Sequence, residues 1–182
     1  MTPCLTTIPT PSHSCPMPEM MALRSRRVIV YGAESDVGRA VHRALRDAGA
    51  IVAVTSRTTD GAALFALKRV AAGGPAQAVD LSNATNVRVA TRKLAKELGG
   101  LDVAVLIPDP TMSEALLDGA VDVAARELQR AEAGRIIVLG ETPPHGSTMR
   151  SRDVPLDRAS GDAVAADPAA FIQMLARPPT AT

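Results

Sequence analysis

The sequence has no tryptophan, one tyrosine and two phenylalanines, so only 2% of it is aromatic although 46% is hydrophobic. Its core must be built from Ala, Val, Leu and Ile, which favours close packing of helices on a sheet. Cysteine is as scarce. Cys4 and Cys15 both fall within the first 20 residues, so a disulfide framework is unsupported and a reducing, cytoplasmic setting is expected. Together with His13 they offer three ligands on an unframed segment, where a structural zinc site takes about four, and no metal site is expected. No apolar run reaches the roughly 18 residues of a membrane helix. Twenty Lys and Arg against 19 Asp and Glu leave a formal charge of +1. The two signs are mixed along the chain, so there is no electrostatic footprint for nucleic acid.

Residues 1–22 read as a disordered tail. The first 20 hold five prolines, four threonines and two serines but no lysine or arginine, a composition that cannot bury a core. The tail lacks the charged start and apolar centre of a secretory signal, and the arginines of a transit peptide. Met20 and Met21 stand just before the basic run Arg24-Ser25-Arg26-Arg27, which leaves open an over-extended gene start.

What is present is an alternation of strand and helix signals. The apolar run Val28-Ile29-Val30 leads into Tyr31-Gly32-Ala33-Glu34-Ser35-Asp36-Val37-Gly38, after which Val37, Val41 and Leu45 recur at helical spacing. A strand, a tight glycine turn and a helix are implied. Such a turn aims free helix amides and a positive dipole end at an anion, and a small residue lets a pyrophosphate approach the backbone. Gly49 is placed to end the helix. Residues 51–55 form a second strand, followed by Ser56 and Arg57. Residues 76–79, 101–107 and 135–139 supply three more strands, and helical periodicity covers about 59–72, 84–98 and 113–132. The expected fold is α/β, a doubly wound, Rossmann-like parallel sheet of five strands in the order 3-2-1-4-5.

The expected dinucleotide-binding domain covers residues 23–141, and 142–182 form a reduced, proline-rich extension with no clear sixth strand. Weak structure is expected over about 142–162. One late helix is predicted there, with Asp167 as cap, Pro168 at its first position, and Phe171, Ile172, Met174 and Leu175 supplying apolar surface. His42 lies among Arg39, Arg43 and Arg46, off the apolar stripe, and reads as part of a solvated helix face.

Over about residues 26–141 the chain resembles the short-chain dehydrogenase/reductase family, whose glycine motif is T-G-x-x-x-G-x-G, with an aspartate following strand three. Gly32 and Gly38 match the outer glycines, Tyr31 replaces the threonine and Asp36 replaces the middle glycine. Asp80 matches the aspartate that bonds the adenine amino group in the family. The resemblance implies cofactor contacts from Gly32, Ser35, Asp36, Val37 and Gly38 in the turn, Ser56 and Arg57 after strand two, and Asp80 and Leu81 after strand three. Dehydrogenases that use NAD commonly carry an acidic residue at the end of strand two. Here Ser56 and Arg57 stand there, and a guanidinium can pair with a 2′-phosphate, so NADP is expected over NAD.

The departures concern catalysis. The family's N-A-G after strand four is replaced by Ile107-Pro108-Asp109-Pro110, and its paired serines after strand five by Gly140 and Glu141. The Y-x-x-x-K motif would fall on Val154 to Arg158, and Val154 cannot donate a proton. A positioned acid of that kind is worth roughly 10²- to 10⁴-fold in rate. No catalytic residue is therefore assigned. The chain is also shorter than the family's usual length, about 250 residues. Three readings stay open: a cofactor-binding sensor or partner without turnover; an NADPH-dependent reductase using a non-standard acid, with Glu141 or His145 as candidates; and a truncated, inactive gene product. A homo-oligomer has no support in the sequence, and the substrate is not legible.

Overall fold

The computed structural model describes residues 22–71, 73–131, 134–140 and 154–177. The expectations for residues 1–21, and those for Glu141 and His145, lie outside the described residues. The elements alternate as expected: β1 Arg27–Tyr31, α1 Asp36–Asp47, β2 Ile51–Thr55, α2 Gly61–Ala71, β3 Ala76–Gln77, α3 Ala84–Leu98, β4 Val103–Leu106, α4 Glu114–Leu128 and β5 Arg135–Gly140. These are followed by β6 Leu156–Ser160, α5 Gly161–Ala166 and α6 Pro168–Ala176.

The strands form one six-stranded sheet in the order β3-β2-β1-β4-β5-β6, and every pairing is parallel. Strand side chains alternate between two apolar layers, as the period of two requires. Ile29, Tyr31, Ala104, Leu106, Ile136 and Val138 face a layer with α3 and α4. Val28, Val30, Val103, Val105, Ile137 and Leu139 face a second layer that includes Val41 and Leu45 of α1, Leu67 of α2 and Phe171 of α6. Burial on both faces explains why the central strands are continuous apolar runs.

Sequence and structure differ in three places. The sheet gains β6, which extends β5 in register from Ile136↔Leu156 to Gly140↔Ser160. Part of the stretch expected to be weakly structured, residues 156–162, is therefore strand and helix, and residues 142–153 lie outside the described ones. β3 is shorter than its apolar signal. The third difference is His42, which is not solvated: it is only 7% exposed, beside the Gly38, Val41 and Leu45 flank of α1. Burial, then the nearby Arg46, lowers its imidazole pKa.

The late helix forms as its local chemistry dictates. Asp167 Oδ1 accepts from the Ala170 amide at 3.0 Å, Pro168 opens the helix, and Phe171, Ile172 and Leu175 are buried. No helix among the described residues is long and apolar enough to cross a membrane.

Candidate functional site

β1 lies at the point where the chain reverses its direction of travel across the sheet, running out to β2 and β3 and returning to β4. Open parallel sheets bind ligands outside the carboxyl ends of strands at such a point. The glycine turn sits there. Gly32 has φ +84°, and a Cβ on it would stand 2.5 Å from the Ile107 carbonyl oxygen. A Cβ on Gly38 would run into the Gly32 carbonyl oxygen and the Ala33 backbone. Both positions therefore require glycine for close approach of backbone to backbone.

Ser35 is the N-cap of α1. Its hydroxyl donates to the Gly32 carbonyl at 2.8 Å and accepts from the Gly38 amide at 3.0 Å, locking turn and helix together. The Asp36 and Val37 amides fall in the first turn, where a helix offers no acceptor. Asp36 points away from the turn: its side chain is exposed and pairs with Arg39, one turn along the helix. Val37 is half-buried, with Gly161 of α5 against it.

The ends of β2, β3 and β4 converge beside the turn. Glu34 Oε1 accepts from the Arg57 amide at 2.9 Å and from Arg57 Nε at 3.1 Å. Arg57 Nη1 also reaches Asp109 Oδ2 at 3.4 Å, while the arginine's stem packs over Gly32. Asp109 accepts from the Thr111 hydroxyl and amide, and these bonds, with Arg57 beside them, hold its carboxyl below the usual range. Asp80 Oδ1 accepts from the Ser82 amide and hydroxyl, a turn that caps the end of β3. The buried Leu81 donates its amide to the Arg57 carbonyl at 3.1 Å.

Ser56 is 0% exposed, and its hydroxyl is used internally, donating to the Thr58 carbonyl at 2.5 Å and accepting from the Val79 amide at 3.1 Å. It ties the end of β2 to the segment after β3. The sequence reading passed over Glu34. Its signal was an acidic residue inside the glycine turn, with a basic one closing the next strand.

Tyr31 is the last residue of β1 and fully buried. The Thr91 hydroxyl donates to the Val87 carbonyl at 2.6 Å, so the tyrosine hydroxyl must be the donor in its own 2.8 Å bond to Thr91. Burial raises the phenol's pKa, outweighing the opposing effect of the Thr91 bond. Arg158 lies within β6, opposite Val138.

No protein-family model matches the chain, and none of the curated proteins does. Solved structures do. A short-chain type dehydrogenase/reductase from Mycobacterium marinum matches 66% of this chain at 25% identity and a TM-score of 0.55. A short chain dehydrogenase from Burkholderia cenocepacia, solved in complex with NADP, matches 70% of it at 26% identity and a TM-score of 0.50. The fold is that of the short-chain dehydrogenases and reductases. Hydroxysteroid dehydrogenase from Escherichia coli shares the fold at 18% identity and a TM-score of 0.53, over 67% of this chain. The chain spans 57%, 62% and 57%, respectively, of the lengths of these three proteins.

Proposed function

We propose that the chain binds a nicotinamide dinucleotide at the carboxyl edge of its sheet, NADP(H) in preference to NAD(H), and reduces ordinary carbonyl compounds slowly or not at all. It is an oxidoreductase by descent. The observation that carries the binding half is the turn from Gly32 to Gly38, where neither glycine has room for a Cβ and the backbone feeds a capped helix start. When bound, the nicotinamide would supply hydride transfer. The chain's own part is to hold it. The Val37 and Gly38 region would meet the pyrophosphate, Asp80 the adenine amino group, and Arg57 a 2′-phosphate. That the Burkholderia cenocepacia protein was solved in complex with NADP supports the choice of cofactor. Ser56 acts from behind, fixing Val79 and hence the approach of Asp80.

The catalytic half rests on the proton donor. The chain has a single tyrosine, and Tyr31 spends its hydroxyl on Thr91 inside the core. Titration with NADPH and NADH, followed by thermal shift, tests the proposal. A ligand at 100 times its Kd stabilises by about 2.7 kcal/mol, which at this size raises Tm by several degrees. No shift with either dinucleotide would overturn the binding half, and turnover at ordinary enzyme rates would overturn the catalytic half.

A further inference from the structure

An open groove of about 810 Å³ lies between α1 and α2, and none of the residues from Gly32 to Gly38 lines it. Arg39, His42, Arg43 and Arg46 line it from α1, and Arg69 and Val70 from α2. On α1 the arginines recur at i, i+4 and i+7, so they share one flank of the helix. Arg39 is partly committed, donating to the Glu34 carbonyl at 2.6 Å and pairing with Asp36. Arg43, Arg46 and Arg69 form no ion pair with any carboxylate among the described residues. Asp47 is the one acidic residue on the groove's wall. Four exposed guanidinium groups thus line one open groove, three of them without a carboxylate partner, and this local excess of positive charge favours an anion there.

The dimensions and lining define what could enter. The volume falls within the roughly 300–1,000 Å³ of small-molecule sites, whereas protein partners cover broader and flatter surfaces. All the lining residues except Ala66 and Val70 carry polar or charged heads, which suits a polar occupant. The row from Arg39 to Arg46 is about 10 Å long at 1.5 Å per residue, too long for one phosphate. Arginine's planar fork suits phosphate oxygens in pairs. We propose that this groove is a second ligand site, for a small anion carrying a chain of phosphates, either inorganic polyphosphate or the tail of a nucleotide. The site is independent of the dinucleotide reading.

Calorimetric titration of the full chain with sodium tripolyphosphate, at about 150 mM salt to screen diffuse attraction, tests it. One site per chain is expected, with affinity at least roughly tenfold weaker in the double variant Arg43→Ala/Arg69→Ala, which removes two charge-assisted contacts. Arg88→Ala, at an exposed position of α3, serves as control and should change affinity less than about twofold. A parallel titration with UTP separates the sources. Equal affinity assigns the site to the phosphate chain alone, and tighter binding assigns it to a nucleotide. Hydrogen exchange on the unmodified protein gives the same answer without substitution, since tripolyphosphate should protect residues 39–47 and 66–70. No binding, binding retained in the double variant, equal loss in Arg88→Ala, or protection confined to other segments would each overturn the proposal.

Discussion

Replacing Glu34 with glutamine probes how the turn tells one dinucleotide from the other. Glu34 and Arg57 are both mostly buried, with side chains 12% and 22% exposed. Glu34 Oε1 holds the arginine while Oε2 is buried with no partner among the described residues. On the proposed binding mode, a 2′-phosphate would share the guanidinium with the Glu34 carboxylate. A well-formed charge-assisted contact contributes about 1.5–3 kcal/mol, and an ion pair such as the one it would compete with about 0–1 kcal/mol. The middles of these two ranges would leave Arg57 a net preference of about 1–2 kcal/mol, or roughly 5- to 30-fold. Glutamine keeps a carbonyl for the Arg57 amide, removes the competing charge and presents an NH₂ group. Glu34→Gln should raise NADPH affinity by up to about fivefold, about 1 kcal/mol, and leave NADH within about twofold. Arg57→Ala should do the reverse, weakening NADPH by roughly 5- to 30-fold and NADH little. The assay is the fluorescence of the reduced nicotinamide on titration, which no tryptophan obscures in this chain. An NADPH-to-NADH affinity ratio that stays level or falls in Glu34→Gln would refute the competition argument. Equal loss of both ligands in Arg57→Ala would show that the arginine braces the loop and reads no phosphate.

Gly38→Ala should abolish dinucleotide-induced stabilisation and lower stability by about 1–3 kcal/mol, because the new methyl meets fixed backbone; thermal melts with and without ligand check both effects. Tyr31→Phe removes one buried donor while leaving Thr91 bonded to Val87, so it should cost about 1 kcal/mol in urea denaturation. It should leave any residual turnover unchanged, and a selective loss of activity would contradict its structural role. Asp102 accepts from Arg27 Nε at 2.9 Å and Nη2 at 2.6 Å, which holds its carboxyl below the usual range. A depressed carboxyl contributes stability fully above the unfolded value of about 3.9 and loses it as pH falls through the folded value. Urea midpoints measured from pH 7 downward should fall less steeply below about pH 4 in Asp102→Asn than in the unmodified chain.

The parts of the fold legible in the sequence are those whose signal is local or apolar. Strands buried on both faces must be apolar throughout, so β1, β2 and β5 stood out. The cap at Asp167 and the proline after it wrote the start of α6 in two residues. β6 was hidden because its sequence, LDRAS, is half-buried along its whole length and pairs only with β5. Its Asp157 is matched by Arg135 on the neighbouring strand at 2.9 Å, a charge pair in place of apolar alternation. His42 was misread because its burial is set by tertiary packing, which the arginines flanking it in the α1 pattern do not disclose. At the candidate site, the tight glycine turn was legible because glycine marks such a turn individually. The internal bonds of the Ser56 hydroxyl to Thr58 and Val79 were not, because they are set by how the chain after β2 meets the chain after β3.

Binding and chemistry are separable in this fold because they belong to different strand ends. The groups assigned to the dinucleotide come from the ends of β1, β2 and β3, with Asp109 after β4 bracing Arg57. In the resembling family, the catalytic hydroxyls follow strand five, where this chain has Gly140. The C-terminal segment supports the first set directly. Val164, Phe171, Ile172 and Leu175 share an apolar layer with Val41 and Leu45 of α1, and Gly161 stands against Val37. Arg135 of β5 donates to the Met174 carbonyl of α6 at 2.6 Å, anchoring that helix to the sheet. The helix whose start is proposed to meet the pyrophosphate is thus packed between the sheet and the chain's own C-terminal helices. Selection for binding alone would maintain every one of these contacts, and none of them requires a proton donor beyond β5.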